Sequence, residues 1–260
     1  MGSAAWVLLR GLSRAAGHWG DVPRRLARAT GRPVHCLDLP GNGSAAALAS
    51  PVAVRDMVAH LQAEIAQRGL AGPFDVVGLS MGAMVACEWA AAGQGLRSAV
   101  LVNGSLRGLS PFHHRLRPLA YPALLRLAFT ATGDHRWEDT IFDLTSRRPA
   151  LRAEVMPAWL QLRRAAPVRH VNVLRQLLAA ARFRAPATPP RQPMLVVRGG
   201  GDQLVDPRCS AAIASRWQLP LQTHPTAGHD LPLDEPGWLV DVLVRWQALL
   251  DDTRRAAQAA

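Results

Sequence analysis

Residues 76–82, Val-Val-Gly-Leu-Ser-Met-Gly, decide the fold, because a short β-branched run continues into the pattern Gly78-x-Ser80-x-Gly82. This pattern is typical of a strand that turns sharply into a helix and presents a serine at the turn. The glycines have a steric reason, since side chains beside the turn would collide with the adjacent strand and helix. An ordinary strand-to-helix turn with a solvated serine gives the same pattern. Other residues must therefore decide whether Ser80 is a nucleophile.

The chain also contains the two residue types that would activate such a serine. A serine hydroxyl needs an imidazole as general base, and the imidazole needs a carboxylate that fixes its tautomer. Asp202 follows the apolar run 194–197, and His229 follows a candidate strand at 219–224. Because the carboxyl ends of parallel strands share one edge of a sheet, we predict that Ser80, Asp202 and His229 meet there.

Three neighbouring charged residues need separate interpretations. Asp206 is a second carboxylate near Asp202, but it precedes a proline and resembles a helix cap, so we expect Asp202 to be the acid. We expect Asp230 to point away from the site. For Arg10 we expect hydrogen bonds to loop carbonyls, with contact to a substrate carboxylate as the alternative.

The order nucleophile, acid, histidine resembles that of the α/β-hydrolase superfamily over residues 7–246. Two further segments carry the resemblance: residues 7–12 are similar to the segment after an early strand in that family, and residues 37–43 to its Asp-x-Pro-Gly-x-Gly loop. The resemblance implies an α/β fold with a mainly parallel sheet of about six strands flanked by helices. It also implies an oxyanion hole formed by the backbone N–H groups of Leu12 and Met81.

The alternation of short apolar runs with amphipathic stretches agrees with this fold. Candidate strands lie near residues 5–9, 33–37, 74–78, 98–103, 193–198 and 219–224. Candidate helices lie near residues 19–29, 53–68, 81–92, 207–216 and 236–250, and residues 251–260 are expected to form a frayed tail. The two additional amino-terminal strands that the superfamily often carries are expected to be missing.

Some ninety residues separate the fourth and fifth candidate strands, too many for a simple crossover. By resemblance we assign residues 105–190 to a helical cap over the active site, and residues 1–104 and 191–260 to the α/β-hydrolase core. We expect Ser13 and Trp19, which follow the early strand, to lie near the substrate pocket.

The net charge of +11 is concentrated in the predicted cap, which holds 14 arginines and five acidic residues. Such a field would steer an acidic ligand toward the entrance, for instance an acyl group on an acyl carrier protein or on coenzyme A. The alternative is a solvated basic surface in a chain that contains no lysine. We expect no nucleic-acid partner, because no recognised binding motif accompanies the charge.

The remaining composition restricts the protein class. No apolar stretch is long enough for a membrane span, and the amino terminus lacks the pattern of a secretory signal. Three cysteines that lie far apart in sequence indicate reduced thiols in a cytoplasmic protein. The histidines lack partners at ligand spacing, so we expect neither a metal nor a cofactor.

These features predict a carboxylic ester hydrolase that cleaves esters or thioesters through an acyl-enzyme intermediate. A serine at the turn disfavours dehalogenase chemistry, which uses aspartate there. Alternatives on the same scaffold are an esterase or acyltransferase acting on a carrier-linked acyl group, a C–C bond hydrolase and a cofactor-free peroxidase. The basic cap gives some similarity to the biotin-pathway carboxylesterases. A hydrolase fold that binds without turnover is the non-enzyme alternative.

Overall fold

A six-stranded parallel sheet, in the order β2-β1-β3-β4-β5-β6, forms the centre of the molecule. The computed structural model describes residues 4–129 and 133–259. The strands are β1 Ala5–Leu9, β2 Val34–Leu37, β3 Phe74–Leu79, β4 Leu96–Val102, β5 Met194–Gly199 and β6 Leu221–His224. The fold is therefore the predicted α/β-hydrolase fold with a parallel sheet of six strands.

Eleven helices are present in the described ranges, together with short 3-10 turns at 16–19, 43–45, 118–120 and 149–151. The helices are α1 Val22–Thr30, α2 Val54–Gln67, α3 Met81–Ala92, α4 Phe112–Arg115, α5 Tyr121–Phe129, α6 Asp134–Thr145, α7 Arg152–Ala165, α8 His170–Arg182, α9 Arg208–Trp217, α10 Leu231–Asp234 and α11 Pro236–Ala259. Among the described residues, no helix is both long and apolar enough to cross a bilayer.

Strands β1, β3 and β4 are buried along their whole length, which is the reason for their nearly continuous apolar sequence. Successive side chains of a strand point to opposite faces. Val7 and Leu9 accordingly pack into one apolar cluster, whereas Trp6 and Leu8 pack into a second cluster on the other face. Helices α2 and α3 cover the first face, and α11 covers the second. The sheet is thus held rigidly from both sides.

Helices α4 to α8, residues 112–182, lie between β4 and β5, and we call them the inserted helices. They contain a third apolar cluster of their own, built around Trp137, Phe142 and Trp159. Leu12, from the loop after β1, packs against this cluster and also against the core cluster. The inserted helices therefore meet the core directly above the loop that was predicted to supply the oxyanion hole.

The carboxyl-terminal segment differs from expectation. Residues 251–259, predicted as a frayed tail, continue helix α11, while Ala260 lies outside the described residues. The physical reason is an ionic anchor, because Asp251 accepts hydrogen bonds from Arg32 at 2.6 Å and from Arg97 at 2.6 Å. Long-range partners of this kind leave no local sequence pattern.

Candidate active site

Ser80 occupies the sharp turn between β3 and α3, with φ 58° and ψ −113°. A non-glycine residue at positive φ is uncommon and holds this conformation only where its surroundings enforce it. A Cβ at Gly78 would lie less than 3.0 Å from the carbonyl oxygen of Gly82, and one at Gly82 less than 3.0 Å from that of Leu9. Both glycines are therefore required by the close approach of strand, turn and helix.

Asp202 and His229 form a buried hydrogen-bonded pair, with residue exposures of 2% and 4%. Nδ1 of His229 lies 2.7 Å from Oδ2 of Asp202. The other carboxylate oxygen accepts the backbone N–H groups of Leu204 and Val205, each at 2.9 Å. An ionised carboxylate only accepts hydrogen bonds, so Nδ1 is the donor in such a pair, and Nε2 is the nitrogen that can act as a base when the ring is neutral.

Ser80 and His229 line the same small cavity, of about 70 Å³. Across the described residues, the imidazole has its hydrogen bond to Asp202 and none to Ser80. Catalytic hydrogen bonds are often long in the absence of substrate and shorten in the complex. The structure thus brings the predicted nucleophile and base to one cavity, and the predicted acid to the base.

Asn103 connects the loops that carry the acid and the base, a role that our sequence analysis missed. Its amide nitrogen donates to the carbonyl oxygens of Gly228 at 3.1 Å and His229 at 2.8 Å. Its amide oxygen accepts the N–H of Gly199 at 2.8 Å. The sequence offered one indication of this role, a polar residue directly after a buried strand. In the structure Asn103 adopts the left-handed backbone region, with φ 47°.

Asp234 is a second anchor that the sequence did not reveal. Its Oδ2 accepts the N–H of Gly228 at 2.7 Å and that of Arg147 at 2.9 Å, and its Oδ1 accepts the hydroxyl of Ser146 at 2.5 Å. One carboxylate therefore ties the histidine loop to the end of helix α6.

Arg10 and Asp230 form a buried ion pair beside the site, which corrects both expectations. Nη1 and Nη2 of Arg10 donate to the two carboxylate oxygens at 2.9 and 2.6 Å. A bidentate carboxylate is a stronger partner for a guanidinium than loop carbonyls, and Asp230 therefore faces the cavity instead of pointing away. Burial alone would raise the pKa of Asp230, but the charge and hydrogen bonds of Arg10 hold that pKa below its usual value.

A second buried pair links the same loop to the inserted helices. Nη1 of Arg14 donates to Glu138 on α6, and its guanidinium lies 4.0 Å from the ring centroid of Trp159 on α7. Burial lowers the pKa of Arg14, and the charge of Glu138 only partly offsets this effect. The loop after β1 is thus fixed by two ion pairs that pure sequence reasoning could not assign.

The oxyanion hole at the amides of Leu12 and Met81 stays a prediction. Leu12 and Met81 both line a larger cavity, of about 340 Å³, that also reaches Ser80. The hydrogen bonds of the described residues include none from the N–H of either one. Met81 is the first residue of α3, and the first N–H groups of a helix have no partner within it. Within the described part of the chain, neither N–H is therefore committed to another acceptor.

The two predicted pocket residues behave differently. Ser13 lines the small cavity, and its N–H donates to the side chain of Gln176 at 2.9 Å. Trp19 lines neither cavity at Ser80: it is 1% exposed and packs in the core, with the guanidinium of Arg10 at 5.3 Å from its ring centroid. The 3-10 turn at 16–19 directs the indole inward, which a linear reading of the loop does not reveal.

Asp206 does not compete with Asp202 for the histidine. Its carboxylate accepts the N–H of Arg208 at 2.9 Å at the start of α9 and also pairs with the Arg208 guanidinium. That hydrogen-bonded partner lowers the pKa of Asp206 to about 2. In the described parts of the chain, histidine, cysteine and acidic side chains form no cluster suited to a metal ion.

The comparisons with known proteins agree with this architecture. A thermophilic esterase from Thermogutta terrifontis, solved with malate bound, is 22% identical and has a TM-score of 0.75, over 95% of this chain and 90% of that one. An enol-lactonase from Burkholderia xenovorans is 17% identical, with a TM-score of 0.76 over 95% and 92%. An N-formylmaleamic acid deformylase from Pseudomonas putida is 22% identical, with a TM-score of 0.67 over 93% and 91%.

Because these three proteins are only 17–22% identical to the chain, their similarity shows a shared fold and not a shared activity. No curated protein matches the chain in sequence. The model of the alpha/beta hydrolase family, however, matches residues 6–242, which is nearly the whole described sheet with its flanking helices and the inserted helices. The chain therefore belongs to the alpha/beta hydrolase family.

Proposed function

We propose that the protein is a serine hydrolase that cleaves carboxylic esters or thioesters through an acyl-enzyme. The observation that carries this proposal is the combination of a strained serine and a buried His229–Asp202 pair at one cavity. In this assignment Ser80 is the nucleophile, His229 is the general base and Asp202 orients the imidazole.

The reaction has two acyl-transfer steps. Nε2 of His229 accepts the proton of the Ser80 hydroxyl as Oγ attacks the carbonyl carbon, and the oxyanion is bound by the N–H groups of Leu12 and Met81. The tetrahedral intermediate then expels the alcohol, which takes the proton from His229. Water repeats the sequence on the acyl-enzyme and releases the acid. Asp202 stabilises the imidazolium in both steps without itself gaining a proton.

The inserted helices support a role as a cap, for which we keep the boundaries 105–190. Ile141, Leu144, Leu177 and Ala180 come from these helices and line the two cavities at Ser80. Side chains placed over the nucleophile would exclude bulk water and select the substrate. The core, residues 1–104 and 191–260, would then supply the chemistry.

The first experiment is hydrolysis of a panel of simple alkyl and p-nitrophenyl esters by the purified chain. We expect turnover, and a loss of at least about four orders of magnitude in kcat for Ser80→Ala. Ser215→Ala, at an exposed serine of α9, is the matched control and should keep wild-type activity. Absence of both ester hydrolysis and fluorophosphonate labelling would contradict the proposal and favour a binding module.

The arginine-rich segment favours a second candidate, an ester on an acidic acyl carrier. Part of this charge is neutralised within the chain, because Arg148 pairs with Glu235 and Arg163 pairs with Asp134. Other arginines of the segment are exposed and make no ion pair within the described ranges: Arg136, Arg164, Arg169, Arg182 and Arg184.

Charge reversal at Arg164, Arg169 and Arg182 tests this candidate. If a carrier is recognised, the changes and added salt should both lower kcat/KM for a carrier-linked ester and leave a neutral short ester unaffected. Equal responses of the two substrates would leave the arginines as a solvated surface.

A further inference from the structure

Two cavities of different size meet at Ser80. Both are lined by Ser80 together with Leu12, Leu124 and Leu204. The smaller has a volume of about 70 Å³ and the larger about 340 Å³. When the carbonyl carbon of an ester lies at Ser80, its acyl group and its alcohol group must therefore occupy cavities of different volume.

The position of the general acid determines which half enters which cavity. The leaving oxygen must lie within hydrogen-bonding reach of the imidazole that protonates it. His229 lines only the smaller cavity, whereas Met81, whose N–H is assigned to the oxyanion, lines only the larger. The leaving group accordingly belongs on the side of the smaller cavity, and the acyl chain on the side of the larger.

The larger cavity has the lining expected for a hydrocarbon chain. Its wall is almost entirely apolar, and comprises Met84, Phe112, Leu116, Leu177, Ala180, Ala181 and Val205 beside the shared residues. Besides Ser80, its polar lining residues are Ser105 and Arg115, and Nη2 of Arg115 donates to the carbonyl oxygen of Ala180 at 2.6 Å. Phe112 lines this cavity and is 61% exposed, so the cavity reaches the surface there, and its volume can admit a chain of several carbons.

The smaller cavity is bounded on two sides by residues that cannot easily move aside. The buried pair of Arg10 and Asp230 forms one side, and Ile141 and Leu144 of α6 form another. Displacing a paired buried charge is costly, because it leaves its partner unpaired. Only a small leaving group fits this space without such a displacement.

From this asymmetry we propose that the preferred substrate is an oxygen ester of a small alcohol with an apolar acyl chain of several carbons. The inference rests on the proposed function and narrows it. A thioester of a carrier, whose leaving group is long, would have to pass through the smaller cavity and is disfavoured.

The test is a matrix of esters in which acyl length and alcohol size vary independently. We expect kcat/KM to rise from acetate to octanoate for methyl esters, and to fall at least about tenfold from methyl to benzyl alcohol at constant acyl group. If kcat/KM instead fell with acyl length and rose with alcohol size, the assignment of the two cavities would be overturned.

Two variants assign the trends to the cavities. Ala180→Phe, in the larger cavity, should lower the octanoate-to-acetate ratio about tenfold. Leu144→Ala, in the smaller, should raise the benzyl-to-methyl ratio by a similar factor. Leu178→Phe, at an exposed position of the same helix as Ala180, should change neither ratio. If Ala180→Phe fails to fold, Ala181→Phe at the exposed edge of the cavity replaces it.

The outcomes separate this inference from the function on which it rests. Loss of ester hydrolysis and of Ser80 labelling in the wild-type protein would overturn both. Hydrolysis with exchanged profiles, or with both variants acting on the same ratio, would overturn only the assignment of the cavities.

Discussion

The reactive edge of the sheet and the inserted helices are held together by different means. At the reactive edge, formed by the loops after β1, β3, β5 and β6, charged groups are buried in pairs, as in Asp202 with His229 and Arg10 with Asp230. Among the inserted helices, ion pairs lie at the surface, as in Arg152 with Asp143, whose side chains are 36% and 64% exposed. The first region is thus held by buried charge pairs, and the second by its own apolar cluster with more exposed ion pairs between its helices.

This difference separates positioning from selection. Chemistry at Ser80 needs groups placed within a fraction of an ångström, which tight backbone approach and paired buried charges provide. Selection of a substrate needs a wall that evolution can alter without disturbing that placement. The partly exposed leucines of α8, Leu174 and Leu178, are side chains of this kind. The following predictions measure how far the two regions differ.

The largest effect is expected for the acid of the proposed triad. Asp202→Asn should keep the fold but reverse the hydrogen bond that fixes the His229 tautomer, and lower kcat by a factor of about 10⁴. Asp206→Asn, four residues away, is the matched control and should change kcat less than about tenfold, because Asp206 pairs with Arg208. Steady-state kinetics with circular dichroism of each variant decide this, and the reverse ranking would contradict the assignment.

Next in size is the loss of a buried charge. Asp230→Asn leaves Arg10 buried without a counter-ion and should lower the free energy of unfolding by about 3–5 kcal/mol. Arg152→Ala removes the two surface ion pairs that α7 makes with Asp139 and Asp143 of α6, and should cost no more than about 1 kcal/mol. Urea unfolding measures both. Equal costs would show that the two regions are not built differently.

A smaller effect is expected for backbone crowding. Gly82→Ala places a Cβ less than 3.0 Å from the carbonyl oxygen of Leu9 and should destabilise the protein by about 1–3 kcal/mol, with a loss of activity. Gly133→Ala, before α6, meets no atom within 4 Å and should cost only a few tenths of a kcal/mol. Thermal unfolding of both variants tests the contrast, which would disappear if the turn at Ser80 could relax.

The smallest effect concerns pH. Burial, followed by the charges of Arg14 and Arg10, holds the pKa of His18 well below 6.5. The unfolded chain therefore binds a proton below pH 6.5 that the folded protein refuses, so this contribution to stability is complete above pH 6.5 and is lost as the pH falls. The free energy of unfolding should decrease by up to about 1.4 kcal/mol per pH unit in that range.

The variant that tests this prediction is His18→Asn, which should flatten the pH dependence of the free energy of unfolding between pH 7 and pH 5. Urea unfolding at several pH values gives the slopes. An unaltered slope in His18→Asn would show that the proton is taken up elsewhere.

The sequence predicts the reactive edge better than its supports. Ser80 can be predicted from the sequence because the turn needs Gly78 and Gly82 at fixed spacing. The six strands can be predicted because short apolar runs indicate their positions. Arg10 and Asp230, 220 residues apart, carry no such local pattern, and neither do Arg14 and Glu138. The inward turn of Trp19 has the same origin, since it depends on packing between distant elements.

The most direct test of the account is to trap the acyl-enzyme. Acid quenching during turnover of methyl octanoate, followed by proteolysis and mass spectrometry, should find the octanoyl mass on the peptide that contains Ser80, and on that serine. Turnover with no acyl group on Ser80, or with the acyl group on another residue, would contradict the central claim.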